Sequence, residues 1–450
     1  MERSRASRDY LAMPVRRAVW ALALPAFATH LVRLANFIVD QYWVGRLTDP
    51  QVGLAAVSAS NFLIWSTFAL SQLFSAGLQA KVARAVGAGD HREQALAIRH
   101  GMALALSIGS GVALAGLLVM PHVFAWQHLS PAVAKAAGEF LTVTFAVLPV
   151  NFIAAAMITI YNAEGDPGTP LKVFCIGLVI NTVLDPPFIL GWGPIPAMGV
   201  RGSALVTALV VITHTLVLGW LHRRKMAERL QVPLEPRQFV PFLRLGLPVA
   251  AQGVLFSSVY VVLVRVLAPF GDAPVAALGL GHTIEGLAHF LCVGFGTAAA
   301  TLVGQNLGAG RPEEARRAAW AAVGQLSLVL SLAAVGYGAN APRLLALFMA
   351  HPQAGVISAG TGYLHVAALV QVPGGLRVVL SSAMVGAGDT VAPTVSLVCT
   401  LLRIPLAFWL ARSVGLGPWG VWYSIGLTVV LEAVVMAALF ARGRWQHRVV

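Results

Sequence analysis

The sequence of 450 residues carries very little charge, since only 11% of its residues are Asp, Glu, Lys or Arg. Soluble domains hold about 25% charged residues, so a soluble enzyme of this size would lack the polar surface that it needs. Disorder is excluded as well, because 58% of the residues are hydrophobic and disordered chains are poor in such residues. The long charge-free windows also differ from the alternating pattern of outer-membrane barrels. We therefore predict an all-α integral membrane protein.

Cysteine is also scarce. The three cysteines, Cys175, Cys292 and Cys399, lie far apart in the sequence, inside apolar stretches and without CxxC spacing. This pattern indicates small buried apolar side chains and gives no sign of a disulfide framework or a metal site. We expect no cofactor and no bound metal.

Hydrophobic residues make up most of what is present, and the mean hydropathy is +0.76. Because about 20 apolar residues span a bilayer, the apolar windows predict twelve transmembrane helices. The predicted helices lie near residues 18–40, 54–78, 97–119, 138–161, 171–191, 201–221, 243–268, 275–301, 316–339, 359–384, 392–412 and 418–440.

Basic residues exceed acidic ones, 31 against 18, and their distribution gives the orientation. With the N-terminus inside, 22 basic residues fall in cytoplasmic segments and five in external ones. Positive charge accumulates on the cytoplasmic side of membrane proteins, where it faces anionic lipid. We therefore expect a multi-pass protein of the cell inner membrane with both termini cytoplasmic. Membrane lipid, not nucleic acid, is the expected partner of the basic segments.

An internal repeat divides the chain into two halves. Four short motifs recur in the same order at a nearly constant offset of about half the chain: Val82–Asp90 with Val303–Arg311, Leu24-Pro25 with Leu247-Pro248, Gly165-Asp166 with Gly388-Asp389, and Gly199-Val200 with Gly420-Val421. Such a duplication predicts two six-helix lobes, at 14–222 and 243–441, joined by a cytoplasmic linker at 223–242. Because six spans return the chain to its starting side, the lobes form a parallel repeat, typical of transporters that work by alternating access.

Several motifs carry a family resemblance that covers most of the chain. They are Asp40-Gln-Tyr-Trp-Val-Gly-Arg-Leu, Ala85-Val-Gly-Ala-Gly-Asp, Val303-Gly-Gln-Asn-Leu-Gly-Ala-Gly, Asn181-Thr-Val-Leu-Asp-Pro-Pro and Gly417-Pro-Trp-Gly-Val-Trp-Tyr. The sequence resembles the multidrug and toxic compound extrusion (MATE) family. This resemblance implies a V-shaped pair of six-helix lobes and export of organic compounds in exchange for protons or sodium.

Ionisable residues inside spans are costly, so each is a candidate for function. They are Asp40, Asp185, Glu285, Glu432, Arg33, Arg265, Arg377 and Arg403. Asn36 and Asp40 share one helix face, as do Asn181 and Asp185. With Thr207, these side chains can hold a proton, and Asp40, Asn181, Asp185 and Thr207 can ligate sodium. Two structural readings stay open: a salt bridge of Asp40 with Arg33, and a helix-breaking role for Asp185 before Pro186-Pro187.

The repeat predicts that this pair of acids has no counterpart in the second half. The offset maps Asp40 onto Leu263, Asn181 onto Arg403 and Asp185 onto Ala407. Acids confined to the N-terminal half resemble the DinF-like branch of the MATE family, in which they form the proton-linked site. The NorM-like branch uses two C-lobe acids, and Phe256 and Gly374 stand at those positions, which speaks against sodium coupling there.

Substrate contacts are expected from aromatic and polar residues on the inner faces of the spans. The candidates are Phe37, Phe62, Trp65, Asn151, Phe152 and Glu285, although aromatic residues of spans are often packing or lipid-facing residues. Glu285 shares a helix face with His282 and His289, which fits a proton relay, a substrate contact or a structural pair with an arginine. Pro25 lies in helix 1 and weakens its hydrogen bonds, so it forms a static kink or a hinge that follows protonation of Asp40.

The expected function is antiport of lipophilic, mostly cationic, compounds against an inward proton gradient by a monomer. Two alternatives stay open: a sodium-coupled drug antiporter and a flippase of lipid-linked precursors. The flippase is expected to hold more cavity cations than Arg33, Arg265, Arg377 and Arg403 provide. A membrane enzyme is disfavoured, because no nucleophile with a paired base is visible in the sequence.

Overall fold

The structure is a computed structural model that describes residues 10–47, 49–126, 129–229, 234–347, 349, 353–389 and 391–448. Twelve α-helices run through this part of the chain. They are α1 (Val15–Val44), α2 (Pro50–Ala88), α3 (His91–Trp126), α4 (Pro131–Ala163), α5 (Gly168–Pro186), α6 (Gly199–Arg229), α7 (Phe239–Leu267), α8 (Asp272–Gly308), α9 (Pro312–Leu347), α10 (Ala354–Gly386), α11 (Val391–Phe408) and α12 (Pro418–Ala441).

The helices match the predicted membrane spans in number and order. Eleven of those in the described ranges are long and apolar enough to cross a membrane. The twelfth, α2, has 39 residues and contains the charge-free sequence window 50–80. The prediction of an all-helical membrane protein is confirmed.

Glycines set the helix ends at equivalent places in both halves. Gly89 follows α2 with φ +67° and Gly310 follows α8 with φ +70°. Gly165 after α4 and Gly388 after α10 have φ +86° and +85°. Side chains with a Cβ avoid this left-handed region, and glycine tolerates it. The repeated Gly motifs of the sequence therefore mark two turns in each half, and the turns of one half correspond to those of the other.

The helices form two compact units, and the first helix of each half is divided between them. Among the described residues, unit 1 lies within 28–246, and unit 2 lies within 10–27 and 247–448. The start of α1 thus packs with the second half, and the start of α7 packs with the first half. The expected lobe boundaries at 14–222 and 243–441 differ from this division at both helices. The difference arises because hydrophobic residues at the start of α1 are buried in unit 2, and those at the start of α7 are buried in unit 1.

Unit 1 is organised around α4, which packs against α2, α3 and α6. Its largest cluster of buried residues contains Phe74, Phe145 and Phe152, and it includes Phe242 from the first turn of α7. The helix α7 approaches α2 closely because residue 246 is a glycine. A Cβ at Gly246 would lie 2.1 Å from the carbonyl oxygen of Leu73. Phe242 and Gly246 of α7 therefore pack into unit 1.

Unit 2 repeats this arrangement around α10, which packs against α8, α9 and α12. Its main cluster includes Val19, Leu22 and Ala23 from the start of α1, and Trp20 contacts Phe295 edge to face with ring centroids 5.0 Å apart. A Cβ at Gly294 would lie 3.0 Å from the carbonyl oxygen of Ala23. The start of α1 is therefore fixed to α8 in the same way as the start of α7 is fixed to α2.

Proline lies next to the point where each of these helices passes from one unit to the other. Pro25 is inside α1, two residues before the division at Phe27, and Pro248 is inside α7, two residues after the division at Gly246. Proline removes one backbone hydrogen bond and weakens the helix locally. The hinge position expected at Pro25 thus coincides with the change of unit along α1. Whether it bends stays a prediction.

Candidate functional site

The two acids predicted as a coupling pair lie side by side in unit 1. Asn181 on α5 donates through Nδ2 to Asp40 Oδ1 at 3.0 Å and to Asp185 Oδ1 at 3.2 Å. Asp185 is fully buried and Asn181 is 2% exposed. One amide therefore joins the carboxyl group of α1 to that of α5, as the shared helix faces predicted.

The two carboxyl groups lie within hydrogen-bonding reach of each other, and Thr207 of α6 lies within the same reach of Asp40. Two carboxylate oxygens cannot share a hydrogen bond unless one of the groups is protonated, because an ionised carboxylate only accepts. Like charges at this distance repel strongly when buried. Asp40 and Asp185 therefore form a pair of adjacent acids in which one shared proton would relieve the repulsion.

Three further oxygens around this pair have no hydrogen-bond partner in the described part of the chain. They are Asn36 Oδ1, Asn181 Oδ1 and Asp185 Oδ2. Buried oxygens without a donor are costly, so such a group favours the binding of a proton, a water molecule or a small hard cation. Of the predicted side chains, Asp40, Asn181, Asp185 and Thr207 are brought together in unit 1, and Asn36 lies one turn before Asp40 on the same face of α1.

The local backbone at Asp185 is irregular. The α-helix α5 ends at Pro186, and a π-helical turn follows at Pro187–Gly191. The second half has a matching π-helical turn at Trp409–Ser413 after α11. Such turns are frequent at functional sites. Because the turn is present in both units, it belongs to the repeated scaffold, and the helix-breaking reading of Asp185 does not explain why only one unit has the acid.

Arg33 does not form the salt bridge with Asp40 that the sequence left open. Among the described residues, its contact is the ring of Phe68 on α2, 5.6 Å from the guanidinium carbon, and no carboxylate lies within ion-pairing distance. Asp40 is instead held by Asn181, Asp185 and Thr207. An intramembrane arginine and an intramembrane acid pair thus stand separately on one face of α1.

The expected substrate-contact residues of unit 1 fall into three groups. Phe37 is 45% exposed, and Asn151 is exposed, so both remain candidates. Phe152 is 3% exposed and packs against Phe74 in the core of unit 1, so its place is that of a packing residue. The side chains of Phe62 and Trp65 lie outside the described part of the structure.

Glu285, the candidate in unit 2, lies in a cluster of rings. The Tyr363 hydroxyl donates to Glu285 Oε2 at 2.6 Å, and His282 Nδ1 is 4.0 Å from the same oxygen. The ring of Tyr260 lies on that of His282 with centroids 4.5 Å apart, and Phe256 lies 5.0 Å from Tyr260. No arginine is among the described contacts of Glu285. These contacts therefore do not support a structural ion pair with an arginine.

The remaining charged groups inside unit 2 form structural contacts. Arg377 Nη1 lies 3.1 Å from Glu432 Oε1, and Ser396 donates to the same carboxylate oxygen. Arg403 is 2% exposed and its Nε donates to Thr428 Oγ1 of α12 at 2.9 Å. These partners could not be predicted from residue spacing in the sequence, because Arg377, Ser396 and Glu432 lie on three different helices.

Comparison with known proteins agrees with this architecture. The family model MatE matches the chain twice, over residues 25–186 and 248–409, so the two matches repeat the offset of the sequence motifs. The chain is 31% identical over 452 aligned residues to a probable multidrug resistance protein NorM of Deinococcus radiodurans, covering 96% of this chain and 95% of the relative. It is 24% identical to a protein of the same description from Thermotoga maritima, with 97% and 94% covered.

The fold also has a close counterpart among solved structures. A MOP superfamily transporter from Pyrococcus furiosus superposes with a TM-score of 0.90 at 21% sequence identity, and all of both chains is covered. At this identity the likeness concerns the fold alone. The helical fold of the chain is thus shared with this solved structure.

Proposed function

The chain belongs to the MatE family of multidrug efflux transporters, and from this membership we propose that it exports lipophilic organic cations in exchange for protons. The observation that carries the proposal is the carboxyl pair of Asp40 and Asp185, which lie side by side and are bridged by Asn181. A pair that holds one proton in an apolar span can release it and gain a negative charge. Proton and cation then compete for the same oxygens.

Coupling follows from this competition. The unprotonated pair attracts a positively charged compound, and a proton that enters from outside is again held between the two carboxyl groups, lowers their negative charge and releases the compound. The two loaded forms stabilise different conformations of the protein, and the gradient drives the cycle in one direction. Exchange fails if the pair cannot change its charge.

The ring cluster around Glu285 supports the cationic class of substrate. Tyr260, His282 and Phe256 present ring faces beside a partly exposed carboxylate. Ring faces and a carboxylate attract organic cations together. We assign Glu285 the role of a substrate contact within unit 2, and Phe37 and Asn151 the same role within unit 1.

Sodium is the second candidate for the coupling ion. The unpartnered oxygens of Asn36, Asn181 and Asp185 are of the kind that hard cations prefer. The close approach of two carboxyl groups favours the proton, because a shared proton relieves the repulsion between them.

Proteoliposomes distinguish the two ions. Uptake of a fluorescent organic cation is measured with a proton gradient alone, with a sodium gradient alone and with neither. The proposal predicts uptake with the proton gradient, unchanged when sodium is replaced by choline on both sides. Uptake that requires sodium would make it the coupling ion, and uptake with neither gradient at the same rate would remove antiport altogether.

A further inference from the structure

Arg33 is an arginine within a span of unit 1 for which the proposed exchange has no use. It lies seven residues before Asp40, so the two side chains stand on the same face of α1, separated by roughly 10 Å along the helix. Asp40 contacts α5 and α6, which places this face toward the interior of unit 1. Arg33 acts electrostatically on His214, a buried residue of α6 that packs against α5, and it therefore lies on the interior side too.

The position of Arg33 leaves its charge without compensation from lipid. The residue is roughly 16 Å from the C-terminal end of α1 and still farther from the N-terminal end. Arginines near the ends of spans extend their guanidinium to the headgroups, which this distance prevents. Its side chain is exposed on the interior face, with Phe68 as its described contact and no carboxylate within ion-pairing distance in the described part of the chain. A fixed intramembrane cation of this kind is a binding group for an anion.

We propose that Arg33 forms a subsite for the carboxylate of a substrate, so that unit 1 accepts zwitterionic organic compounds whose cationic group lies toward Asp40 and Asp185. Arginine binds carboxylates through two parallel hydrogen bonds, which a lysine cannot reproduce. The ring of Phe68 beside the guanidinium adds an apolar surface for the aromatic body of such a compound. This inference rests on the proposed function and names a second substrate class.

The repeat supports a role that only unit 1 has. At the offset that relates Pro25 to Pro248, Arg33 corresponds to Phe256 of unit 2, which lies in the ring cluster with Tyr260 and His282. The scaffold therefore does not require an arginine at this place on the first helix of a unit. Binding of an anionic group of the substrate would compensate the charge of Arg33, which the fold itself does not require.

A matched pair of dyes tests the subsite. Rhodamine 110 has a free carboxylate and a cationic xanthene, and rhodamine 123 is its methyl ester, so the two differ in that one charge. Binding of both to the purified full-length protein is measured by fluorescence anisotropy. The variants are Arg33→Gln and Arg33→Lys, with Arg265→Gln as a control, because Arg265 is an exposed arginine of α7 in unit 2.

We expect Arg33→Gln to weaken rhodamine 110 binding about tenfold, which corresponds to about 1.4 kcal/mol, and to leave rhodamine 123 binding within about twofold. Arg33→Lys should restore part of the loss, and Arg265→Gln should change neither dye. An unchanged ratio of the two affinities in Arg33→Gln, or wild-type protein that binds rhodamine 123 alone, would overturn the subsite. Failure of the wild type to transport rhodamine 123 would instead count against the proposed export of cations, since the subsite is measured by binding.

Discussion

The two units have the same scaffold and opposite electrostatics at the corresponding place. In unit 1, Asn181 joins Asp40 to Asp185, and Thr207 hydrogen-bonds to Asp40. In unit 2, the repeat places Leu263 and Ala407 at the two acid positions, both fully buried in an apolar cluster.

A cation completes the contrast. Arg403 stands where unit 1 has Asn181, and it donates to Thr428, the counterpart of Thr207 at the offset that relates Gly199 to Gly420. A guanidinium that is always charged therefore occupies the region where unit 1 has groups that can exchange a proton. Both copies have the helices, the glycine turns and the π-helical ends, and in the described part of the chain the bridged acid pair lies in one copy.

The largest effect that this comparison predicts is at the acid pair. Asp40→Asn and Asp185→Asn should reduce cation uptake driven by a proton gradient in proteoliposomes to the level of empty liposomes, because an amide cannot take up or release the proton. Glu139→Gln is the control, since Glu139 is an exposed carboxylate of α4 in the same unit, and it should leave uptake unchanged. Substantial gradient-driven uptake by both Asp variants would end the assignment of coupling to unit 1.

The next effect concerns the buried ion pair of unit 2. Glu432→Gln should destabilise the protein by about 3–5 kcal/mol, because Arg377 would keep a buried charge without its carboxylate. Thermal unfolding followed by size-exclusion chromatography measures the loss. Glu314→Gln removes the exposed pair with Arg317 and should cost at most about 1 kcal/mol.

The same variant separates structure from coupling. Glu432→Gln molecules that remain folded at low temperature should still exchange protons for the cation. If folded Glu432→Gln lost proton dependence while keeping gradient-independent cation binding, unit 2 would take part in coupling, and the contrast between the units would be wrong.

A smaller loss of stability is expected where α7 crosses into unit 1. Gly246→Leu should cost about 1–3 kcal/mol, because its Cβ would meet the carbonyl oxygen of Leu73 at 2.1 Å. Gly324→Leu in α9 is the control, as a Cβ there meets nothing within 4 Å. Equal thermal stability of the two variants would show that the start of α7 is not fixed to α2 as described.

The smallest effect should distinguish the two prolines. Pro25→Ala should slow proton-driven uptake several-fold, because Pro25 weakens the helix that leads to Asp40, whereas Pro248→Ala should change the rate less than twofold, since α7 leads to Leu263. Initial uptake rates at equal protein density decide the point. Equal slowing by both substitutions would assign the prolines a role in the scaffold, independent of the acid.

Much of the fold could be predicted from the sequence, and so could the members of the coupling site. Apolar windows gave the helices, and the i, i+4 spacing placed Asn181 with Asp185 and Asn36 with Asp40. The repeat then showed that unit 2 has no such pair. These features depend on spacing along one helix or on copies of one motif, which a sequence displays directly.

Contacts between distant helices could not be predicted in this way. Nothing in the spacing pairs Arg377 with Glu432, or Tyr363 with Glu285, because their helices meet only in the packed unit. The exchange of the first turns of α1 and α7 between units was missed for the same reason, since Leu22 and Phe242 are buried against residues far along the chain. Phe152 was expected to contact the substrate, but it lies in the core. The sequence alone does not distinguish an aromatic residue that binds substrate from one that packs in the core.

Proton release on substrate binding tests the central claim most directly. The purified protein in weakly buffered detergent solution near neutral pH is mixed with tetraphenylphosphonium, a permanent cation that carries no proton of its own, and a pH indicator dye reports the change. The exchange at Asp40 and Asp185 predicts acidification by up to one proton per bound cation in the wild type, and none in Asp40→Asn or Asp185→Asn. Binding of the cation to the wild type without proton release, or equal release by the Asp variants, would contradict it.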